Sequence, residues 1–234
     1  MDRRRPQFVL PALLAAAAAL TPSALLAGDA PAPKREGIEW IDAWVVQGDH
    51  PEATPRILLI GDSITRAYYD EVRKGLEAIG PCDRLATSAS LGDPALPATV
   101  ALLLAQRRYD VIHLNNGMHG WGYSEAEYAA AIAPLLAAVR SLAPQARLIW
   151  ATTTPTAGGS AMLNPRIDER NRLLLAALTG QAIAIDDLHA VIAADPAQIS
   201  KDGVHMLPSG SNHLAASVVA AVKTALAQSA GAPH

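Results

Sequence analysis

The chain reads Arg-Ile-Leu-Leu-Ile-Gly-Asp-Ser-Ile-Thr from residue 56 to residue 65. Its first five residues form an almost continuous apolar run, which is typical of a strand buried on both faces of a parallel sheet. Gly61 follows directly and permits a tight turn. Apolar residues then recur with helical spacing over residues 66–79, and Gly80-Pro81 ends that pattern. The stretch therefore predicts a strand, a tight turn and a helix in immediate succession.

The same alternation continues along the rest of the chain. Short apolar runs predict further strands at residues 109–114, 147–151 and 182–185. Helices are predicted at residues 94–106, 124–142, 166–179 and 209–227. Strands that alternate with helices of this length indicate an α/β fold, with a parallel sheet covered by helices on both faces. Ligands bind such sheets at the carboxyl ends of the strands.

The composition fits a compact domain and excludes several classes of protein. Of the 234 residues, 50% are hydrophobic and 18% are charged, which allows a large core and excludes intrinsic disorder. The net charge of −3 gives no indication of nucleic-acid binding. The one cysteine, Cys82, excludes an intramolecular disulfide and a cysteine-built metal site. The histidines show no metal-binding spacing, so no metal is expected.

The N-terminus has the pattern of a secretory signal peptide. Three arginines at residues 3–5 precede an apolar run from Phe8 to about Leu20, and small residues follow up to a cleavage position after Ala30. The run is too short and too rich in alanine for a convincing membrane span, although a retained anchor is the alternative. We therefore expect an exported protein, periplasmic or secreted. The predicted division is a signal peptide at 1–30, a linker and N-terminal extension at 31–53, and the folded domain at 54–234.

Ser63 is the first candidate for chemistry, because it lies where the predicted strand turns into a helix. The backbone N–H groups of a helix start favour negative charge. A nucleophilic serine needs that setting, since its attack on a carbonyl produces an oxyanion near its own N–H. Taken alone, however, Asp62 or Ser63 is explained at least as well as a helix N-cap.

Asp202-Gly203-Val204-His205 is the second candidate, on a loop just before the final predicted helix. An aspartate three residues before a histidine on a turn can reach Nδ1 of the imidazole and leave Nε2 free for a serine. An ordinary turn that carries a surface histidine is the alternative.

The loop at residues 114–121 is the third candidate. It carries Asn115, Asn116 and His119 together with glycines, directly after a predicted strand. Such side chains can donate hydrogen bonds to an oxyanion. A loop that uses asparagine and glycine for their backbone conformations is the alternative.

Together these segments resemble the SGNH, or GDSL, family of serine hydrolases, over roughly residues 54–227. The resemblance implies a three-layer α/β/α sandwich with a central parallel sheet, of flavodoxin-like type. It also implies ester hydrolysis through an acyl-serine intermediate without a cofactor. Ser63 matches the family's nucleophile, His205 its general base, and Asp202 the residue that orients that base.

The resemblance also implies an oxyanion hole, and one part of it departs from the family's pattern. Ser63 supplies a backbone N–H, and Gly92 matches the glycine of the family's second block. The third block usually reads Gly-x-Asn-Asp, and here His119 stands where the asparagine is expected. A histidine can donate through a ring N–H, while Asn116 or Asn115 could supply the amide instead.

The expected substrate is a small-molecule or glycan ester with a short acyl group, such as an acetyl ester of a carbohydrate. Small residues in the loop at 152–164, which with the loop at 91–97 is expected to border the substrate, indicate an open edge rather than a deep acyl tunnel. Neither nucleic acid nor a stable membrane span of the mature protein is expected. The alternatives are an O-acyltransferase on the same scaffold and a non-catalytic glycan-binding protein.

Two further sets of polar residues have structural interpretations. His113 alternates with apolar neighbours in a strand and is predicted to be a hydrogen-bonded core residue. Arg166, Arg170 and Asn171 match a helix segment that often borders the pocket in this family. Three polar residues at this spacing are nevertheless more typical of a solvated helix face.

Overall fold

A six-stranded sheet forms the centre of the structure, a computed structural model that describes residues 32–48, 51 and 54–228. The strands are β1 (Ile41–Trp44), β2 (Ile57–Gly61), β3 (Cys82–Thr87), β4 (Val111–Leu114), β5 (Arg147–Ala151) and β6 (Ile183–Asp186). The helices are α1 (Ser63–Leu76), α2 (Ala95–Leu104), α3 (Glu125–Ala130), α4 (Ile132–Leu142), α5 (Asn164–Leu178), α6 (Leu188–Ala193) and α7 (Pro208–Ala227). Short 3₁₀ helices lie at Gly158–Leu163 and Pro196–Gln198.

The strand order is β1-β3-β2-β4-β5-β6, and every pair is parallel except β1 with β3. Successive side chains of a strand point to opposite faces, which places two apolar clusters on the sheet. Ile57 and Leu59 of β2 share a cluster with residues of α1 and α7. Leu58 and Ile60 share the other cluster with residues of α2 and α4. This arrangement confirms the predicted three-layer α/β/α fold class.

Strand β3 is not predicted by the sequence, because charged residues occupy its middle. Asp83 is fully buried. Its carboxylate accepts hydrogen bonds from Arg56 Nη1 at 3.0 Å and from the Tyr109 hydroxyl at 2.9 Å. Arg84 donates to the Asp42 carboxylate at 2.8 Å. Arg56, Tyr109 and Asp42, from three other segments, therefore pair with the charged residues of β3. Those charged residues are the reason that the strand could not be predicted from its own sequence.

Residues 33–48 lie in the stretch predicted as a linker and N-terminal extension. They belong to the compact unit that starts at Pro33, in which β1 pairs with β3 along the edge of the sheet. Lys34 forms an ion pair with Glu127 at 2.7 Å, and Arg35 forms one with Asp93, also at 2.7 Å. Strand pairing and complementary charges attach this segment to the domain, although its composition is typical of a linker.

The predicted helix at 124–142 is divided into α3 and α4. Ser124 caps α3 through a capping box with Glu127, as its sequence indicates. In one continuous helix Pro134 would lack the N–H that bonds to the carbonyl of Ala130, and its ring would collide there. The break at Ala131 places Pro134 in the first turn of α4, where no such bond is needed.

The predicted signal peptide at residues 1–30 lies outside the described residues. Within the part of the chain that is described, no helix combines the length and the apolar character needed to cross a membrane.

Candidate active site

Ser63 is the first residue of α1, immediately after β2, as the sequence predicts. Asp62 is the N-cap, and its Oδ1 accepts a hydrogen bond from the Ile64 N–H at 2.9 Å. The cap role therefore falls to Asp62. At Gly61 any Cβ would collide with Thr65 Oγ1, so only glycine allows this turn to bring the helix start against the strand.

His205 connects Ser63 to Asp202 through two hydrogen bonds. Its Nε2 lies 2.8 Å from Ser63 Oγ, and its Nδ1 lies 2.8 Å from Asp202 Oδ2. An ionised carboxylate only accepts hydrogen bonds, so the Asp202 contact places a hydrogen on Nδ1. The neutral imidazole then presents the lone pair of Nε2 to the serine hydroxyl. This is the arrangement that a general base requires.

The Asp202 carboxylate is held in its ionised form by donors that surround it. The backbone N–H groups of Val204 and His205 donate to Oδ1 at 2.8 and 2.9 Å, and Ser200 Oγ donates at 2.9 Å. These backbone bonds, followed by the bond from the His205 ring, lower the pKa of Asp202 below its ordinary value. Asp202 therefore stays ionised while His205 changes protonation.

Gly203 fixes the shape of the loop between Asp202 and His205. Its φ is +78°, and a Cβ would collide with the carbonyl oxygen of Ala157. In return, the Ala157 N–H donates to the Gly203 carbonyl at 2.8 Å, and Ser160 Oγ donates to the Asp202 carbonyl at 3.2 Å. The segment at 157–160 thus supports the loop from outside.

Substitution of Gly203 by alanine is expected to destabilise the protein more than the same change at Gly180. Gly180 has nearly the same φ, +75°, but nothing lies within 4 Å of its Cβ position. Gly180→Ala should therefore cost only the backbone strain, about 1 kcal/mol of unfolding free energy. Gly203→Ala adds a collision and should cost about 2–5 kcal/mol. Urea unfolding of both variants measures the difference, and equal losses would contradict the supporting role of the contact with Ala157.

Ser63 and His205 open into a pocket of about 250 Å³. Its other lining residues are Lys34, Arg35, Glu36, Met118, His119, Trp121, Gly122, Leu163 and Val204. Leu163 comes from the loop at 152–164 that was expected to border the substrate, whereas no residue of the loop at 91–97 lines the pocket. Residues 34–36 are absent from the sequence-based site because their segment has the composition of a linker.

The candidate oxyanion donors lie in different places. His119 lines the pocket with Ser63, and its Nδ1 lies 3.0 Å from Glu36 Oε1. The amide nitrogen of Asn116 donates to the Ala89 carbonyl at 3.0 Å. This hydrogen bond joins the loop after β4 to the loop after β3. Gly92 packs against the Tyr123 ring and is not among the residues that line the pocket. Of the predicted side-chain donors, His119 is the one that lines the pocket together with Ser63.

Arg170 and Asn171 are buried, which corrects the interpretation of a solvated helix face. Arg170 donates to the carbonyls of Gly117 and His119 at 2.8 Å and to that of Gly120 at 3.0 Å. It therefore holds the loop that carries His119. A sequence signal for this exists, because Arg170 and Asn171 stand three and four residues after Ile167, within the apolar stripe of the helix.

Arg166 and Asn171 support neighbouring segments of the same region. Arg166 donates to the carbonyls of Trp121 and Tyr123 at 2.9 and 2.6 Å. Asn171 accepts from the Thr153 N–H at 2.8 Å and donates to the Thr153 carbonyl at 2.9 Å. Helix α5 therefore anchors the loops after both β4 and β5.

His113 is confirmed as a core residue. It is fully buried, and its Nε2 lies 3.0 Å from Asp186 Oδ2. The other oxygen of Asp186 accepts a hydrogen bond from Ser217 Oγ at 2.6 Å. Among the residues that the structure describes, no group of three or more histidine, cysteine or acidic side chains is arranged to hold a metal ion.

Solved structures resemble this fold at low sequence identity. A carbohydrate esterase of family 3 from Talaromyces cellulolyticus superposes with a TM-score of 0.64 at 15% identity, covering 74% of this chain and 99% of that one. A putative SGNH hydrolase from Slackia heliotrinireducens gives 0.57 at 23% identity, over 72% and 99% of the two chains. A carbohydrate acetylesterase from Sinorhizobium meliloti gives 0.59 at 14% identity, over 73% and 99%.

These likenesses show that the chain has the SGNH hydrolase fold. No protein-family model matches the chain, and no curated protein matches its sequence.

Proposed function

We propose that this protein is a serine esterase that hydrolyses carboxylic esters through an acyl-serine intermediate. The observation that carries the proposal is the pair of 2.8 Å hydrogen bonds that joins Ser63, His205 and Asp202 at a pocket. A nucleophile, a base and a group that orients the base are the parts that acyl transfer needs. The SGNH hydrolase fold, shared with esterases, supports the same reaction class.

The reaction proceeds in two halves. Ser63 Oγ attacks the ester carbonyl carbon while its proton passes to His205 Nε2, and a tetrahedral oxyanion forms. The intermediate collapses, the bond to the alkoxy oxygen breaks, and His205 returns the proton to the departing alcohol. Water then attacks the acyl-serine, His205 takes one of its protons, and the carboxylic acid leaves as Ser63 Oγ regains a proton. Asp202 stays ionised throughout and stabilises the imidazolium.

The oxyanion is stabilised by donors around Ser63. Ser63 is the first residue of α1, so its backbone N–H has no hydrogen-bond acceptor within the helix. His119 lines the same pocket and is the proposed side-chain donor. Each donor aimed at an oxyanion contributes about 3 kcal/mol of transition-state stabilisation.

The proposed substrate is a short-chain ester, with acetyl groups on a carbohydrate as the favoured case. A pocket of about 250 Å³ suits a small acyl group better than a long chain. Trp121 adds an aromatic ring to the pocket lining, against which a sugar ring can pack. Two of the similar structures are described as a carbohydrate esterase and a carbohydrate acetylesterase.

Export to the periplasm or the exterior also belongs to this proposal, and it rests on the arginine-rich and apolar pattern of residues 1–30. The O-acyltransferase and the non-catalytic binding protein are not favoured by any contact among the described residues. A site that keeps serine, histidine and aspartate in hydrogen-bond contact supports catalysis over binding alone.

The direct test combines an ester series with covalent labelling. We expect p-nitrophenyl acetate to be hydrolysed with a kcat/KM at least about 10-fold above that of the octanoate ester. A fluorophosphonate should label Ser63, and mass spectrometry of the digested protein locates the adduct. A folded sample that hydrolyses no ester and forms no adduct on Ser63 would contradict the proposed function.

A further inference from the structure

Glu36 is one of the residues that line the pocket beside Ser63, and its backbone is fixed on both sides. The ion pairs of Lys34 and Arg35 hold the chain just before it. Just after it, Glu39 Oε1 accepts a hydrogen bond from the Glu36 N–H at 2.9 Å. The backbone that carries the Glu36 side chain is therefore held in place at the pocket.

The Glu39 carboxylate connects this segment to the edge of the sheet. Its Oε2 accepts a hydrogen bond from Ser88 Oγ at 2.6 Å, and Ser88 Oγ accepts in turn from the Trp40 N–H at 2.8 Å. Ser88 follows β3 directly, and Trp40 directly precedes β1, which pairs with β3. The pairing of these two strands therefore helps to set the position of Glu36.

The protein uses one carboxylate oxygen of Glu36 and leaves the other open. Oε1 accepts the Gly120 N–H at 3.2 Å and lies 3.0 Å from His119 Nδ1. No residue that the structure describes forms a hydrogen bond or an ion pair with Oε2. The Glu36 side chain is 37% exposed. The carboxylate therefore keeps free lone pairs on an oxygen at the pocket.

This oxygen restricts the chemistry of a ligand group placed beside it. A carboxylate oxygen accepts hydrogen bonds and donates none. A neighbouring ligand group must therefore carry a donor, since an apolar group would leave the oxygen without a partner. The acyl part of a simple carboxylic ester has no such donor. Hydroxyl groups on the alcohol part do, so the carboxylate suits an ester of a polyhydroxylated alcohol.

A cationic alcohol could also donate to a carboxylate, but the neighbours of Glu36 disfavour it. Lys34 and Arg35 line the same pocket, whereas the carboxylates that pair with them, those of Glu127 and Asp93, are not among its lining residues. A cation bound at Glu36 would therefore approach two further positive charges. A sugar hydroxyl can instead accept a hydrogen bond from a cation as well as donate one to Glu36.

We propose that Glu36 is the specificity residue for the alcohol part of the substrate, and that its Oε2 accepts a hydrogen bond from a sugar hydroxyl. Ser63 and Glu36 line one pocket of about 250 Å³, so a small ester can contact both. The contacts of Oε1 hold the carboxylate before the substrate binds, which reduces the entropy lost on binding. This inference rests on the proposed esterase function and names the residue that recognises the carbohydrate.

Two kinds of acetate ester that differ in their hydroxyls isolate this contact. Methyl glucosides and methyl xylosides that carry one acetyl group each present a hydroxylated six-membered ring. Cyclohexyl acetate presents a ring of the same size without hydroxyls. The measured quantity is the ratio of kcat/KM for the best sugar ester to kcat/KM for cyclohexyl acetate. A change that affects only acyl transfer lowers both values and cancels in this ratio.

Glu36→Gln is expected to lower this ratio about 10-fold. The glutamine oxygen can still accept from the Gly120 N–H, but the charge is gone and an amide donor replaces Oε2. A hydrogen bond to a charged group is stronger than one between neutral groups, by an amount equivalent to about 10-fold in affinity. Equal losses for both kinds of ester, with an unchanged ratio, would show that Glu36 only supports the loop and would overturn the inference.

Glu39→Gln is the matched control. It removes the same charge from the same segment, and Glu39 is not among the residues that line the pocket. Its ratio should stay at the wild-type value. The wild type itself should favour the best sugar ester, because a site built to bind a hydroxyl rejects the analogue that lacks it. Hydrolysis of cyclohexyl acetate without hydrolysis of any sugar ester would overturn the inference.

Acetylcholine tests the cationic alternative, because it combines the same acetyl group with a cationic alcohol. Its kcat/KM should lie below that of the best sugar ester in the wild type. If acetylcholine is the better substrate and Glu36→Gln lowers its kcat/KM more than that of the sugar ester, Glu36 recognises a cation and the inference fails.

A binding measurement separates this inference from the proposed function. Ser63→Ala lacks the nucleophile and keeps Glu36, so it should bind the same sugar esters in an NMR titration. Adding Glu36→Gln should raise the Kd about 10-fold. An unchanged Kd overturns the inference even if the protein is an esterase. Undiminished hydrolysis by Ser63→Ala would instead overturn the proposed function.

Discussion

Replacement of Ser63 by alanine is expected to lower kcat/KM for p-nitrophenyl acetate by at least about 10⁴-fold. Without Oγ there is no nucleophile at the position that His205 Nε2 contacts at 2.8 Å, and no acyl-enzyme can form. The remaining oxyanion donors and the pocket give only the residual rate of a site without its nucleophile. Steady-state kinetics with the wild type measured in parallel provide the comparison.

Two controls show that this loss is chemical. Ser141→Ala makes the same change at an exposed position of α4 and should leave kcat/KM unchanged. The double variant Ser63→Ala/His205→Ala should lose no more than Ser63→Ala alone, because the two side chains act as one unit. Activity of Ser63→Ala within tenfold of the wild type would place the hydrolysis elsewhere in the protein.

Replacement of Arg170 by alanine is expected to give the largest loss of stability, about 3–5 kcal/mol of unfolding free energy. The guanidinium is fully buried and donates to the carbonyls of Gly117, His119 and Gly120. It also packs over the Trp121 ring, with 4.2 Å from its carbon to the ring centroid. Alanine would leave these carbonyls without their donor and a cavity beside the tryptophan.

Urea unfolding measures this loss, and Arg172→Ala is the matched control. Arg172 lies two residues further along α5, where its exposed side chain pairs with Glu169. A surface pair of this kind contributes less than about 1 kcal/mol. If the two alanine variants unfold at the same urea concentration, Arg170 does not hold the loop. Arg170→Ala should also reduce ester hydrolysis, because the loop it anchors carries His119.

Local signals explain why much of the site could be predicted from the sequence. The turn at Gly61, the cap at Asp62 and the short loop from Asp202 to His205 depend on contacts between residues at most four positions apart. Side-chain size, backbone conformation and hydrogen-bonding capacity are sufficient to indicate such contacts. The apolar runs of the central strands likewise depend mainly on their own composition.

Residues that depend on distant partners could not be predicted in the same way. Asp83 and Arg84 occupy β3 because Arg56, Tyr109 and Asp42 neutralise or bond to them. The N-terminal segment was predicted to be a linker because the strand and the charged side chains with which it pairs lie in distant parts of the chain. Arg170 was predicted to be solvated because its hydrogen-bond partners are backbone carbonyls. Every residue has a carbonyl, so no residue type in the sequence indicates these partners.

The amino-acid sequence by itself determined the α/β class, the strand-turn-helix unit that presents Ser63, and the loop that joins Asp202 to His205. Only the tertiary structure decided that Ser63 and His205, 142 positions apart, lie in hydrogen-bond contact. It also brought Glu36 to His119, across 83 positions. The reason is physical: periodicity and turn chemistry act over a few residues. Contacts between distant side chains exist only after the sheet has set the register of its strands.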